Sequence, residues 1–181
     1  MLITFSTTTQ NMRISTTITH ILFAVSLFMV GCAERSKLKE GESRTEHNLK
    51  LVQAKVDAWK AGTGSLFDLV SERVQWTVAG RSPVSGTYNS KKDLMNKAVA
   101  PINARLNAPV KLTAAALTAQ DDKVVILWQG SATAKNGEEY KNTYSWHMTI
   151  QNDSIIKVEA FLDTYVLYDL LRSVTDTTAI P

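Results

Sequence analysis

Residues 140–163 read YKNTYSWHMTIQNDSIIKVEAFLD, and this stretch decides the fold. Two runs rich in β-branched and aromatic residues, Tyr140–Ile150 and Ile155–Leu162, flank Asn152-Asp153. That pair favours a tight turn, because both residues tolerate positive φ and bond their own backbone. The spacing predicts an antiparallel hairpin. With Asn152-Asp153 as a two-residue turn, Trp146 faces Glu159, Tyr144 faces Phe161 and Asn142 faces Asp163, all six on one face; a three-residue loop would instead set His147 opposite Glu159. A strand over Val124–Thr133 precedes it, joined through Asn136-Gly137, the strongest short hairpin signal available. The same rule then sets Tyr144 opposite Gln129 and Asn142 opposite Ser131. A face that mixes amides, rings and acids suits the lining of an inner pocket. Ile126, Trp128, Ser145, His147 and Val158 fall on the other face. A Trp-bearing sheet face is costly to leave bare, so that face is a candidate dimer surface.

The segments before the hairpins are helical. Leu49, Val52, Val56 and Trp59 recur at helical spacing over Glu46 to Ala61, and Gly62-Thr63-Gly64 ends that helix. Ser65 caps a short helix that carries Leu66, Phe67, Leu69 and Val70. Val74–Ala79 reads as a strand, Gly80–Ser85 as a loop, and Lys91 to about Val99 as a helix capped by Ser90. Pro101 and Pro109 bracket an irregular stretch, and Val110–Leu117 is a further strand. Thr164–Ser173 closes the fold as a helix, and residues 174–181 form a tail. Helices followed by a run of hairpins make an α+β domain, in which a bent antiparallel sheet wraps the early helices around a central pocket.

Composition narrows the function classes. The 181 residues are 44% hydrophobic and 20% charged, ordinary for one globular domain with appendages. Twenty Lys and Arg against 17 Asp and Glu leave a net charge of +3 without a dense basic cluster, which argues against nucleic-acid binding. A single cysteine excludes an internal disulfide and Cys-based zinc sites. No HExxH, nucleophile elbow, phosphate loop or Ca²⁺ loop occurs in context, so neither a cofactor nor a metal is expected.

The amino-terminal 31 residues hold no Asp or Glu, and Ile21 to Val30 forms an apolar run. At about ten residues it matches a signal-peptide core and falls short of the roughly 20 needed to span a bilayer. The one cysteine follows at once, in Met29-Val30-Gly31-Cys32. This resembles a bacterial lipobox, with Met29 and Val30 in place of the usual Leu and small residue. It implies a signal peptide over 1–31, lipidation (palmitate among the acyl chains) at Cys32, and a polar tether over 32–45. Ala33 resembles outer-membrane sorting in double-membraned bacteria, so the expected location is the cell envelope, with the domain facing the periplasm. Met12 offers a second start.

Trp59-Lys60-Ala61-Gly62, Trp76-Thr77-Val78-Ala79-Gly80, Ser85-Gly86-Thr87-Tyr88, Tyr144-Ser145-Trp146 and Phe161-Leu162-Asp163-Thr164 occur in that order over residues 46–173. The series resembles the SnoaL-like branch of the NTF2-like superfamily. Two departures are Ser90, where relatives often carry Gly, and Asn152-Asp153-Ser154, in place of an Asp-Gly turn. The resemblance implies a cone: a strongly bent sheet around a long helix, with a deep apolar pocket that Trp76 and Val78 also line. It implies homodimerisation through the outer sheet face. It implies no single activity, since the superfamily holds isomerases, cyclases and dehydratases beside members without chemistry.

Three readings of function stay open at this stage. In the first, the pocket binds a small, partly apolar molecule through Trp76, Tyr88, Gln129, Asn142, Tyr144, Trp146 and Phe161. In the second, Asp163 is the base of a cofactor-free isomerase, cyclase or dehydratase, and Glu159 shares the acid-base work. A buried carboxylate has its charged form desolvated, which raises its basicity. Asp163 also directly precedes a helix, however, and is an excellent N-cap. The third reading is a non-catalytic dimerisation or docking module.

Overall fold

The computed structural model describes residues 43–175; the signal peptide expected over 1–31 and Cys32 lie outside them. The first helix, α1 (Arg44–Lys60), starts at Ser43, whose Oγ accepts the Glu46 N–H at 3.2 Å. It ends where Gly62 adopts φ +70°, a conformation that favours glycine. Val52 and Val56 on one face are fully buried. A single 3₁₀ turn follows (Leu66–Leu69), closed by a capping box in which Ser65 and Asp68 satisfy each other's backbone N–H groups.

The strands are β1 (Val70–Val78), β2 (Gly86–Tyr88), β3 (Lys111–Gln120), β4 (Lys123–Thr133), β5 (Glu139–Gln151) and β6 (Ser154–Leu162). They form one sheet in the order β2-β1-β6-β5-β4-β3. All neighbours are antiparallel except β1 and β6, which run parallel. The helix predicted from Lys91 runs on to Asn103 in three pieces: α2 (Lys91–Leu94), a π turn (Met95–Val99) and α3 (Ala100–Asn103). Pro101 explains the π turn. It has no N–H to give and its ring crowds the preceding turn, and the Ala100 N–H reaches back five residues to the Met95 carbonyl. Of the stretch expected to be irregular between Pro101 and Pro109, residues 101–103 belong to this helical turn and 104–109 are irregular apart from an isolated bridge at Leu106. The last helix, α4 (Thr164–Ser173), matches its predicted bounds.

Two hairpins correct the predicted facing. Asn152 and Asp153 do form a two-residue turn, both at positive φ (48° and 57°), with Gln151 opposite Ser154. The register then slips by one between Thr149 and Ile150, because β6 bulges at Ile156. Beyond the bulge Trp146 faces Ala160 and His147 faces Glu159. The Asn136-Gly137 hairpin is longer than two residues: the Ala134 N–H bonds the Glu138 carbonyl, and Gly137 sits at φ +89°. Tyr144 therefore faces Trp128, and Asn142 faces Gly130. A one-residue slip turns every side chain over. Ile126, Trp128 and Val158, expected outside, are core residues at 0%, 3% and 0% exposure. Glu159, Phe161, Gln129 and Ser131, expected inside, point outward.

Candidate functional site

β5 positions the inner face. Asn142, Tyr144 and Trp146 alternate on it and are buried, as their spacing predicts. Trp146 is the hub of an aromatic cluster. Trp76 and Trp128 meet it edge-on, each with ring centroids 4.9 Å away, and Trp59 from α1 stacks at 6.2 Å. All four tryptophans of the chain thus belong to one cluster.

A cavity of about 210 Å³ opens beside this cluster, between the inner sheet face and the helical segments. Trp76, Tyr144, Trp146 and Ala160 form its floor, and Phe67 and Leu167 flank it. Tyr88, Leu94, Lys97, Ala98 and Val99 close the side formed by β2, α2 and the π turn. The described lining residues include one charged side chain, Lys97, and no Asp, Glu or His. Burial and the adjacent Tyr140 raise the pKa of Tyr144 well above the ordinary tyrosine value. Its hydroxyl lies 2.8 Å from that of Tyr140, and both stay protonated at neutral pH. Burial and Asp93 raise the pKa of Tyr88, with Lys97 acting the other way.

The residues singled out in the sequence fall in three places. Trp76, Tyr88, Tyr144 and Trp146 meet at the cavity. Gln129, Asn142 and Asp163 border a separate, open cleft of about 560 Å³, with Ser131, Lys141 and Thr143. There Asn142 clamps the backbone of Asp163: its Nδ2 donates to the Asp163 carbonyl at 2.9 Å, and its Oδ1 accepts the Asp163 N–H at 3.1 Å. The Asp163 carboxylate caps α4, accepting the N–H groups of Tyr165 and Val166 at 3.0 and 3.2 Å. Glu159 and Phe161 lie on the outer sheet face, Glu159 beside Lys157 at 3.5 Å and Phe161 against the His147 ring at 5.3 Å. Neither Asp163 nor Glu159 lines the aromatic cavity. Among the described residues no three His, Cys, Asp or Glu side chains converge as a metal site requires.

Sequence reasoning missed Trp128, Trp59 and Lys97. Trp128 ends an unbroken apolar run, Val124 to Trp128, in which no alternation marks the buried face; the structure buries Val124, Ile126 and Trp128 and exposes Leu127. Lys97 depends on the π turn, which periodicity alone does not reveal.

No protein-family model and no curated protein matches the chain. Solved structures do. An NTF2-like protein of unknown function from Burkholderia pseudomallei superposes with a TM-score of 0.57 at 18% identity, covering 72% of this chain and 99% of its own. The fold is NTF2-like. Bal32a, from a soil-derived mobile gene cassette, shares this NTF2-like architecture with a TM-score of 0.59 at 18% identity, over 72% of this chain and 100% of its own. TerC, solved with polyporic acid, superposes at 0.54 and 17% identity, over 68% of this chain and 97% of its own. At such identities the likeness speaks for the NTF2-like fold and not for an activity.

Proposed function

We propose that this chain is a lipid-anchored envelope protein of the SnoaL-like kind whose NTF2-like cone binds a small, flat, partly apolar molecule. The observation that carries the reading is the cavity: rings of Trp76, Tyr144 and Trp146 on its floor, with Tyr88 and aliphatic side chains closing it. Apolar enclosure with few polar groups is the usual form of a small-molecule site. A dry apolar cavity of about 150 Å³ is enough for benzene, so about 210 Å³ suits one ring with substituents or a small fused pair. TerC, whose fold superposes on this one, was co-crystallised with polyporic acid.

The test is a titration of the full chain with 1-naphthol, followed by tryptophan fluorescence. Every tryptophan lies in or against the cavity wall, so binding gives a saturable change. Ala98→Trp fills the cavity and removes it. A linear, unsaturable response in the wild type contradicts the reading.

The anchor rests on Cys32 in its lipobox-like setting. Cells fed labelled palmitate should label the chain, and Cys32→Ser should abolish the label. Among the described residues no helix is long and apolar enough to cross a membrane. Pairing of two copies through the outer sheet face is supported by Leu127 and Phe161, which are 52% and 46% exposed there. Sedimentation of Phe161→Glu as a monomer, against a wild-type dimer, tests it.

A further inference from the structure

Taking the cone as a ligand pocket, we infer that its occupant is a flat apolar molecule bearing one oxyanion, such as a carboxylate, which Lys97 holds at the cavity mouth with Tyr88 beside it. The inference rests on that pocket reading and adds a charge requirement to it.

The lining is electrostatically one-sided. Lys97 is its one charged member among the described residues, and no carboxylate faces it from the wall. Asp93, which pairs with Lys97, stands outside the lining, so the one charge the cavity wall itself presents is positive. The side chain of Lys97 is 69% exposed, so its stem borders the cavity while its head stands at the opening. Its present partner is Asp93, one helical turn earlier. Exposed pairs at this spacing are weak, because water screens them and two long side chains lose freedom. An oxyanion seated at the mouth, partly shielded from water, competes well for Lys97.

Two further features converge on the same spot. The π turn brings Lys97, Ala98 and Val99, three successive residues, to the cavity together, and π turns within helices recur at functional sites. Tyr88 lies near enough to Lys97 and Asp93 for both charges to act on it. It remains a protonated donor at neutral pH and offers an O–H to the same oxyanion.

The experiment compares 1-naphthoate with 1-naphthamide, equal in shape and different in charge, on the full chain at neutral pH. The wild type should bind the acid about ten-fold more tightly than the amide. Lys97→Met should bring the two within about two-fold of each other. Asp93→Asn frees the ammonium and should strengthen naphthoate binding alone. Equal binding of acid and amide by the wild type, or a preference that survives Lys97→Met, overturns the inference and leaves the pocket reading standing. If neither probe binds, the pocket reading itself falls, and this inference with it.

Discussion

Trp128 lies flat on Tyr144, with ring centroids 3.8 Å apart and planes 9° from parallel. The pair joins β4 to β5 on the inner face and carries the aromatic cluster toward Trp59 of α1. Leu127, its neighbour in sequence, points the other way and is half exposed.

Truncation should report that difference. Trp128→Ala removes a ring at 3% exposure and should cost about 3–5 kcal/mol. Leu127→Ala should cost less than about 1 kcal/mol in a monomeric preparation. Urea unfolding measures both. Similar costs for the two would contradict the register.

Gly130 makes room for the same ring. A Cβ there would lie 2.5 Å from Val110 Cγ1 and 2.7 Å from Trp128 Cζ3. Gly130→Ala should therefore destabilise by about 1–3 kcal/mol through overpacking, read as a lower urea midpoint with an unchanged slope.

Much of this was legible in residues 140–163, and the failures have a physical cause. The helix with Val52 and Val56, the turn at Asn152-Asp153, the inward set Asn142, Tyr144 and Trp146, and the cap at Asp163 all follow from local rules. Facing on β6 and β4 was carried from the turns inward, and one extra residue undid it each time. In β6 the phase was readable further along: Val158, Ala160 and Leu162 alternate with Lys157 and Glu159. Ile155 and Ile156, apolar in succession, mark where the bulge shifts that phase. In β4, the Gly137 turn adds its extra residue at Ala134–Glu138. Where a strand alternates, as β6 does, that pattern reports its face more directly than a count from a turn. The lipobox reading of Cys32 concerns residues outside those described.

Asn142 and Asp163 should separate structure from binding. Asn142→Ala takes the acceptor from the Asp163 N–H and one of two donors from its carbonyl, which keeps the Leu167 N–H at 3.3 Å, and should cost about 1–3 kcal/mol. Asp163→Ala loses the cap of α4 and should cost about 1 kcal/mol, while Asp163→Asn, also a good cap, should cost little. Neither Asp163 variant should alter 1-naphthol affinity once folded. A large loss of affinity in Asp163→Asn would return that carboxylate to the ligand site.

Stability should fall at high pH. Burial raises the pKa of both Tyr140 and Tyr144 above the ordinary value of 10.0. Below pH 10 both folded and unfolded chains hold these protons, and nothing is lost. Above it the unfolded chain releases them while the folded chain holds them more tightly, so unfolding becomes more favourable by about 1.4 kcal/mol per pH unit for Tyr144, and Tyr140 adds in the same direction. Urea midpoints measured upward from pH 9 should drop beyond pH 10, and Tyr140→Phe/Tyr144→Phe should drop less steeply. A flat profile in the wild type would mean that these hydroxyls ionise as freely as in water.

The central claim is that the cone holds a small molecule, and native mass spectrometry of the full chain, purified gently from cells that express it, tests it most directly. The account predicts an added small-molecule mass on the wild type that is absent from Ala98→Trp, in which the cavity is filled. The same masses with and without the filled cavity, or a wild type that carries nothing and takes up no flat aromatic probe, would contradict it.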